Sequence, residues 1–186
     1  MDRKAFLQTT FSCAVAGMVL PCLSGFVQAD TTTNPQPSSA DAAFLRGWLS
    51  DFVAANELMM DRAALVKLLE ERGRACCRAL DFRQKLIRDS NGSLEKLVEL
   101  MGKIVGPENC RLKGKTVTLI YPTNGKCVCG WSPQRAVPQA DDPYCECSKS
   151  NNQHLFETVT GKKVTARVTE SPRRGQRNCK FVIQVA

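Results

Sequence analysis

Two Cys-X-Cys pairs, Cys127-Val128-Cys129 and Cys145-Glu146-Cys147, constrain this chain more than any other feature. Two thiols at i and i+2 close on each other only through a small, strained ring. Each pair therefore looks outward, to a shared metal ion or to distant cysteines, across an intervening loop of 15 residues. Four further cysteines follow the first 29 residues: Cys76, Cys77, Cys110 and Cys179.

Residues 1–29 read as an export signal. Arg3 and Lys4 give a positive start, Phe11 to Leu23 is apolar but interrupted by Pro21, and Val27-Gln28-Ala29 suits signal-peptidase cleavage before Asp30. Residues 30–40, rich in Thr, Pro and Ser, read as a flexible tether, and 41–186 as one cysteine-rich domain. The formal charge is +8; cleavage removes Asp2, Arg3 and Lys4 and lowers it to +7. Export and sparse aromatics argue against a nucleic-acid partner, and membrane contact is expected only during export. The expected location is periplasmic or extracellular. There an even set of eight cysteines reads first as a disulfide framework, with about 105 pairings open to it.

Apolar periodicity places helices in the first half. Phe44, Leu45, Trp48, Leu49, Phe52 and Val53 form one face. Asp61 is placed to cap a helix carrying Leu65, Leu68 and Leu69, with a break or bend expected at Gly73 and the helical pattern continuing through Cys76-Cys77 and Leu80. Ser93 is placed to cap Leu94 to Ile104, which Gly106-Pro107 ends. The pattern then turns to strands. Thr116–Tyr121 is one, Asn124-Gly125 a tight turn, and 126–131 its returning partner. Residues 132–143 form a loop with three prolines, 144–148 a short extended piece, and 152–159 one short helix. Residues 164–169 and 180–185 finish as strands. The expected class is α+β: an N-terminal helical layer on a small antiparallel sheet, with one short helix between sheet strands.

Extended segments put i and i+2 side chains on one face. If 126–130 pairs with 144–148, then Cys127, Cys129, Cys145 and Cys147 converge, and four thiolates suit a tetrahedral soft metal, zinc or copper(I). Lys126 and Lys149 flank the pairs and favour thiolate. Disulfides between the pairs, or to Cys76, Cys77, Cys110 and Cys179, remain the rival arrangement, and free redox-active thiols a third. If helical, Cys76 and Cys77 cannot face the same partner, so one packs as a small apolar residue. A disulfide is expected for Cys110. His154, the sole histidine, reads as a surface or capping residue; Asp141-Asp142 as a solvated loop; Lys162-Lys163 and Arg173-Arg174 as solvated faces.

The start, Asp2 to Gln8, resembles a twin-arginine signal with Lys4 in place of the second arginine. Further on, Phe156-Glu157, Gly161, Val164, Glu170-Ser171, Arg174-Gly175 and Cys179-X-Phe181-X-Ile183 follow in order. This ending resembles the tail of 4-vinyl-reductase-type domains, regarded as small-molecule-binding modules. With Gly73-Arg74-Ala75-Cys76, Cys127-X-Cys129 and Tyr144-Cys145-X-Cys147-Ser148, it is similar to an uncharacterised cysteine-rich family of exported bacterial proteins, over residues 71–186. The resemblance implies a mixed α/β ligand-binding fold with cysteines near a pocket or metal, and adds Cys76 and Cys179 to the candidate set. The chain carries no dinucleotide or phosphate-loop signature of its own.

Three functions are thus compatible with the sequence. One is an exported binding protein holding zinc or copper, with a small-molecule pocket. Another is a thiol- or metal-dependent oxidoreductase or hydrolase. The third is a disulfide-stapled adaptor.

Overall fold

The computed structural model describes residues 39–127, 129, 132, 133 and 137–186. The expected signal, most of the tether, and Val128, Gly130 and Trp131 of the expected returning strand lie outside the described residues.

Four helices come first: α1 Ser39–Met59, α2 Arg62–Ala79, α3 Asp81–Ser90 and α4 Leu94–Val105. Strands β1 Cys110–Lys113 and β2 Thr116–Tyr121 follow, then α5 Cys145–Thr160, β3 Val164–Glu170 and β4 Cys179–Val185. The strands form one antiparallel sheet in the order β1-β2-β4-β3. The class is α+β as expected, with the N-terminal helices packed against the sheet side of the molecule through α4 and α5.

Local chemistry explains most of these elements. Asp61 accepts the Ala64 amide at 2.9 Å and Ser93 the Lys96 amide at 3.1 Å; such caps contribute about 1 kcal/mol each. Alternation in β2 and β4 sends Val117, Leu119, Phe181, Ile183 and Val185 to one face, where they meet Leu97, Met101, Leu155 and Phe156. Tyr121 and Cys179 lie on that same face by register, opposite each other at the end of the β2–β4 pair.

Several local expectations fail for identifiable reasons. Gly73 does not break α2, which runs through it. It is buried mid-helix because α5 crosses there: a Cβ on Gly73 would lie 2.2 Å from the Cys147 carbonyl oxygen. The break falls at Leu80, whose extended backbone (φ −87°, ψ 115°) separates α2 from α3. Asn124 and Gly125 do adopt left-handed φ values of 53° and 81°. Yet β2 pairs with β4, and the turn is docked on the segment before β4, the Arg177 carbonyl taking the Gly125 amide at 2.7 Å and the Thr123 hydroxyl at 3.0 Å. None of Lys126, Cys127 and Cys129 is in a strand.

The expected short helix begins seven residues early, absorbing the piece assigned as extended. Asp142-Pro143 opens it: the Asp142 carboxylate accepts the Tyr144 amide at 2.9 Å and the Pro143 carbonyl the Glu146 amide at 2.9 Å. Glu146 in the first turn complements the helix dipole. Strand β1, not anticipated, is only four residues long, with Cys110 as its one buried side chain. The apolar face of α1 is a further departure. Val53 is buried against Leu65, Leu69 and Tyr144, whereas Phe44, Leu45, Trp48 and Phe52 are exposed. Trp48 and Phe52 stack on each other at 5.6 Å. Among the described residues no helix is long and apolar enough to cross a membrane.

Candidate functional site: a cysteine-lined pair of cavities

All eight cysteines from Cys76 to Cys179 are free thiols. Six of them gather where the N-terminal end of α5, the loop carrying Cys127 and Cys129, and the start of β4 meet. A cavity of about 20 Å³ is lined by Cys127, Cys129, Cys145 and Cys179, with Tyr144, Ser171 and Arg173. Beside it, a cavity of about 230 Å³ is lined by Cys76, Cys129, Cys147 and Cys179, with Leu80, Arg83, Tyr121, Asn151, Asn152 and Phe181. Cys129, Ser148, Cys179 and Phe181 line both.

The helical state of α5 decides this division. Side chains two apart on a helix diverge by about 200°, so Cys145 and Cys147 line different cavities rather than one face. The four cysteines of the Cys-X-Cys pairs therefore do not all line one cavity. Cys179 takes the place expected for Cys147 at the smaller cavity, and Cys147 stands against Cys76. The remaining two thiols are elsewhere. Cys77 is fully buried in the main core, as one member of an adjacent helical pair must be. Cys110, the expected disulfide partner, is an unbridged core thiol that burial pushes up to about 11.

Electrostatics separate the six. The Cys147 thiol donates to the Cys76 sulfur; this holds Cys76 down at about 6, with the nearby Arg72 charge assisting. The same contact, with burial, pushes Cys147 upward, so the pair keeps one proton. Burial raises Cys145, opposed by its 2.9 Å hydrogen bond with Ser171 and by the Arg174 charge. Burial and the neighbouring Cys127, Cys145 and Cys129 push Cys179 up to about 12. Burial thus favours the neutral form of Cys145 and Cys179 at the smaller cavity, and a cation placed beside them would reverse that preference.

An ion-pair hub holds the smaller cavity. Asp142, expected as a solvated loop residue, is fully buried, and Arg173, expected on a solvated face, is 9% exposed. Arg173 grips the Asp142 carboxylate through Nε and Nη2, both at 2.9 Å, and lies 4.8 Å over the Tyr144 ring. Its Nη1 donates to Ser132 Oγ at 3.1 Å and to the Pro133 carbonyl at 2.8 Å, and Ser132 Oγ in turn donates to the Cys129 carbonyl at 3.0 Å. One guanidinium thus ties the Cys129 segment to the start of α5 and, through Tyr144 and Glu57, to α1. Asp141, by contrast, is exposed and pairs with Arg62. Lys149 does not serve the thiols as expected, because Glu70 at 2.6 Å and Glu146 at 2.5 Å hold it. His154 contacts Arg74 at 3.5 Å and lines neither cavity.

As placed, no three Cys, His, Asp or Glu groups among the described residues converge closely enough to hold a metal ion. Sequence reasoning missed Arg83, Asn152 and the Asp142–Arg173 hub. Arg83 did carry a signal: with Leu86 and Ser90 it follows the 3, 4 spacing of the buried face of α3.

No protein-family model matches this chain, and neither does any curated protein sequence.

Proposed function

We propose that this chain is an exported binding protein whose smaller cavity takes one soft metal ion, zinc or copper(I), on Cys127, Cys129, Cys145 and Cys179. The observation that carries the reading is the lining itself: four cysteines from three separate segments surround about 20 Å³, room for about one water-sized body. Soft thiolate donors select zinc and copper(I), with Zn–S distances of about 2.3 Å. The Ser171 hydroxyl and the Arg174 charge both favour the thiolate form of Cys145.

Cobalt(II) titration of the reduced, metal-free full chain tests it. One equivalent should give thiolate-to-cobalt charge-transfer absorption, displaced by zinc. Cys179→Ser should weaken uptake at least tenfold while Cys147→Ser leaves it nearly unchanged. No uptake, or the opposite order of the two variants, refutes this metal site.

The Cys76–Cys147 contact favours a second reading, a thiol oxidoreductase with Cys76 as nucleophile. Its check is whether Cys76 exchanges with a small disulfide faster than every other thiol of the protein. Equal inertness of all eight removes it.

A further inference from the structure

We propose that the larger cavity is a binding site for a small organic monocarboxylate, with Arg83 as its counter-charge. The proposal needs no metal; it stands on a buried cation whose partners are all neutral.

Arg83 is 6% exposed. Its Nη2 donates to Tyr121 Oη at 3.2 Å and Asn152 Oδ1 at 3.1 Å, and its Nη1 faces Met101 Sδ at 3.8 Å. Nε has no partner, the one buried side-chain N or O atom so left among the described residues. No carboxylate pairs with this guanidinium among the described residues, whereas Arg62, Arg74, Arg173 and Arg174 each have one. A buried charge without a counter-charge is strongly destabilising. Tyr121 and Asn152 do not require it either, because Tyr121 Oη already donates to Asn152 Oδ1 at 3.0 Å. The Cys76 thiolate, which lines the same cavity, lies against Arg72.

The cavity supplies what a ligand would need. Arg83, Tyr121 and Asn152 form a polar cluster, and Leu80, Phe181 and cysteine sulfur make up much of the remaining wall. That combination fits one negative charge on an apolar body. One buried guanidinium with no carboxylate partner among the described residues argues for a monoanion over a phosphate dianion.

Calorimetric titration of the reduced full chain with benzoate, benzamide and inorganic phosphate tests this, on metal-free and zinc-treated protein. Benzoate should bind saturably in both, at least tenfold tighter than benzamide and than phosphate. Arg83→Met, which keeps the packing volume, should weaken benzoate at least tenfold and leave benzamide unchanged. Arg83→Lys should retain a preference for benzoate over benzamide. Equal affinity for benzoate and benzamide, tighter phosphate binding, an unaffected Arg83→Met, or no saturation overturns the proposal. So does loss of benzoate binding on zinc treatment, which would make a metal-thiolate centre the counter-charge of Arg83. Cobalt uptake by Arg83→Met reports separately on the smaller cavity, so failure of one site is distinguishable from failure of the other.

Discussion

Gly73→Ala is the sharpest perturbation of this fold, because two physical effects predict opposite signs. Gly73 sits inside α2, where alanine is intrinsically better by about 1 kcal/mol. The new Cβ, however, would lie 2.2 Å from the Cys147 carbonyl oxygen, 2.9 Å from the Asn151 amide nitrogen and 3.0 Å from the Cys147 carbonyl carbon. Ordinary contact begins at 3.4 Å. The obstructing atoms belong to the backbone of α5, which cannot swing aside as a side-chain tip can. Overpacking costs about 1–3 kcal/mol, occasionally more, and the backbone obstruction places this case at the upper end. The hydrogen bond from Asn151 Nδ2 to the Gly73 carbonyl, 3.2 Å, is strained as well, a further loss of about 1 kcal/mol. The net expectation is destabilisation by about 2–3 kcal/mol, read from urea unfolding at constant m-value. Pushing α5 away also separates Cys147 from Cys76, so alkylation of Cys76 should shift its pH midpoint from about 6 toward the ordinary thiol range. Gly47→Ala is the control: nothing lies within 4 Å of its Cβ position in α1, and it should gain stability by up to about 1 kcal/mol. Unchanged or increased stability of Gly73→Ala, with Cys76 unaffected, would refute the close crossing of α2 and α5.

Three further outcomes follow from the same geometry. Carbamidomethylation of Cys76, followed by peptide mass spectrometry, should have a midpoint near pH 6, and Cys147→Ala should move it toward about 8.5. Because folding lowers the Cys76 pKa, its contribution to stability is present above the unfolded thiol pKa and lost as pH falls through about 6; wild type minus Cys76→Ser should therefore grow between these limits. The raised Cys147 acts in reverse, favouring the fold below the unfolded thiol pKa and losing that contribution only as pH rises through its own elevated value. Asp142→Asn removes the buried carboxylate that Arg173 grips and should cost about 3–5 kcal/mol in chemical denaturation, much of it recovered when Arg173→Met is added.

Much of what was legible in the sequence depended on neighbours in the chain. Asp61 and Ser93 cap the helices they were expected to cap, and the β2, β3 and β4 strands follow from runs of alternating or β-branched residues. Illegible were the features that depend on contacts across the fold. Gly73 reads as a helix breaker until α5 is seen lying against it. Asp142 and Arg173 read as solvated charges because each is a polar residue in a loop or turn; their burial goes with a pairing across 31 positions that the local sequence does not announce.

The cysteine spacing shows the same limit in its most consequential form. Cys-X-Cys means convergence in a strand and divergence in a helix, and the helical state of 145–147 is supported by Asp142-Pro143 upstream and by Arg174 on Glu146, of which only Glu146 lies within the motif. Once 145–147 is helical, one pair of thiols serves two cavities, and each cavity draws cysteines from elsewhere: Cys179 for one, Cys76 and Cys179 for the other. Cys129 and Cys179, shared by both, are then the residues through which occupation of one cavity must be felt in the other. A metal drawn onto those two sulfurs in the smaller cavity changes the charge on the wall of the larger one, next to Arg83, and the zinc-treated and metal-free titrations with benzoate measure that coupling as a ratio of affinities.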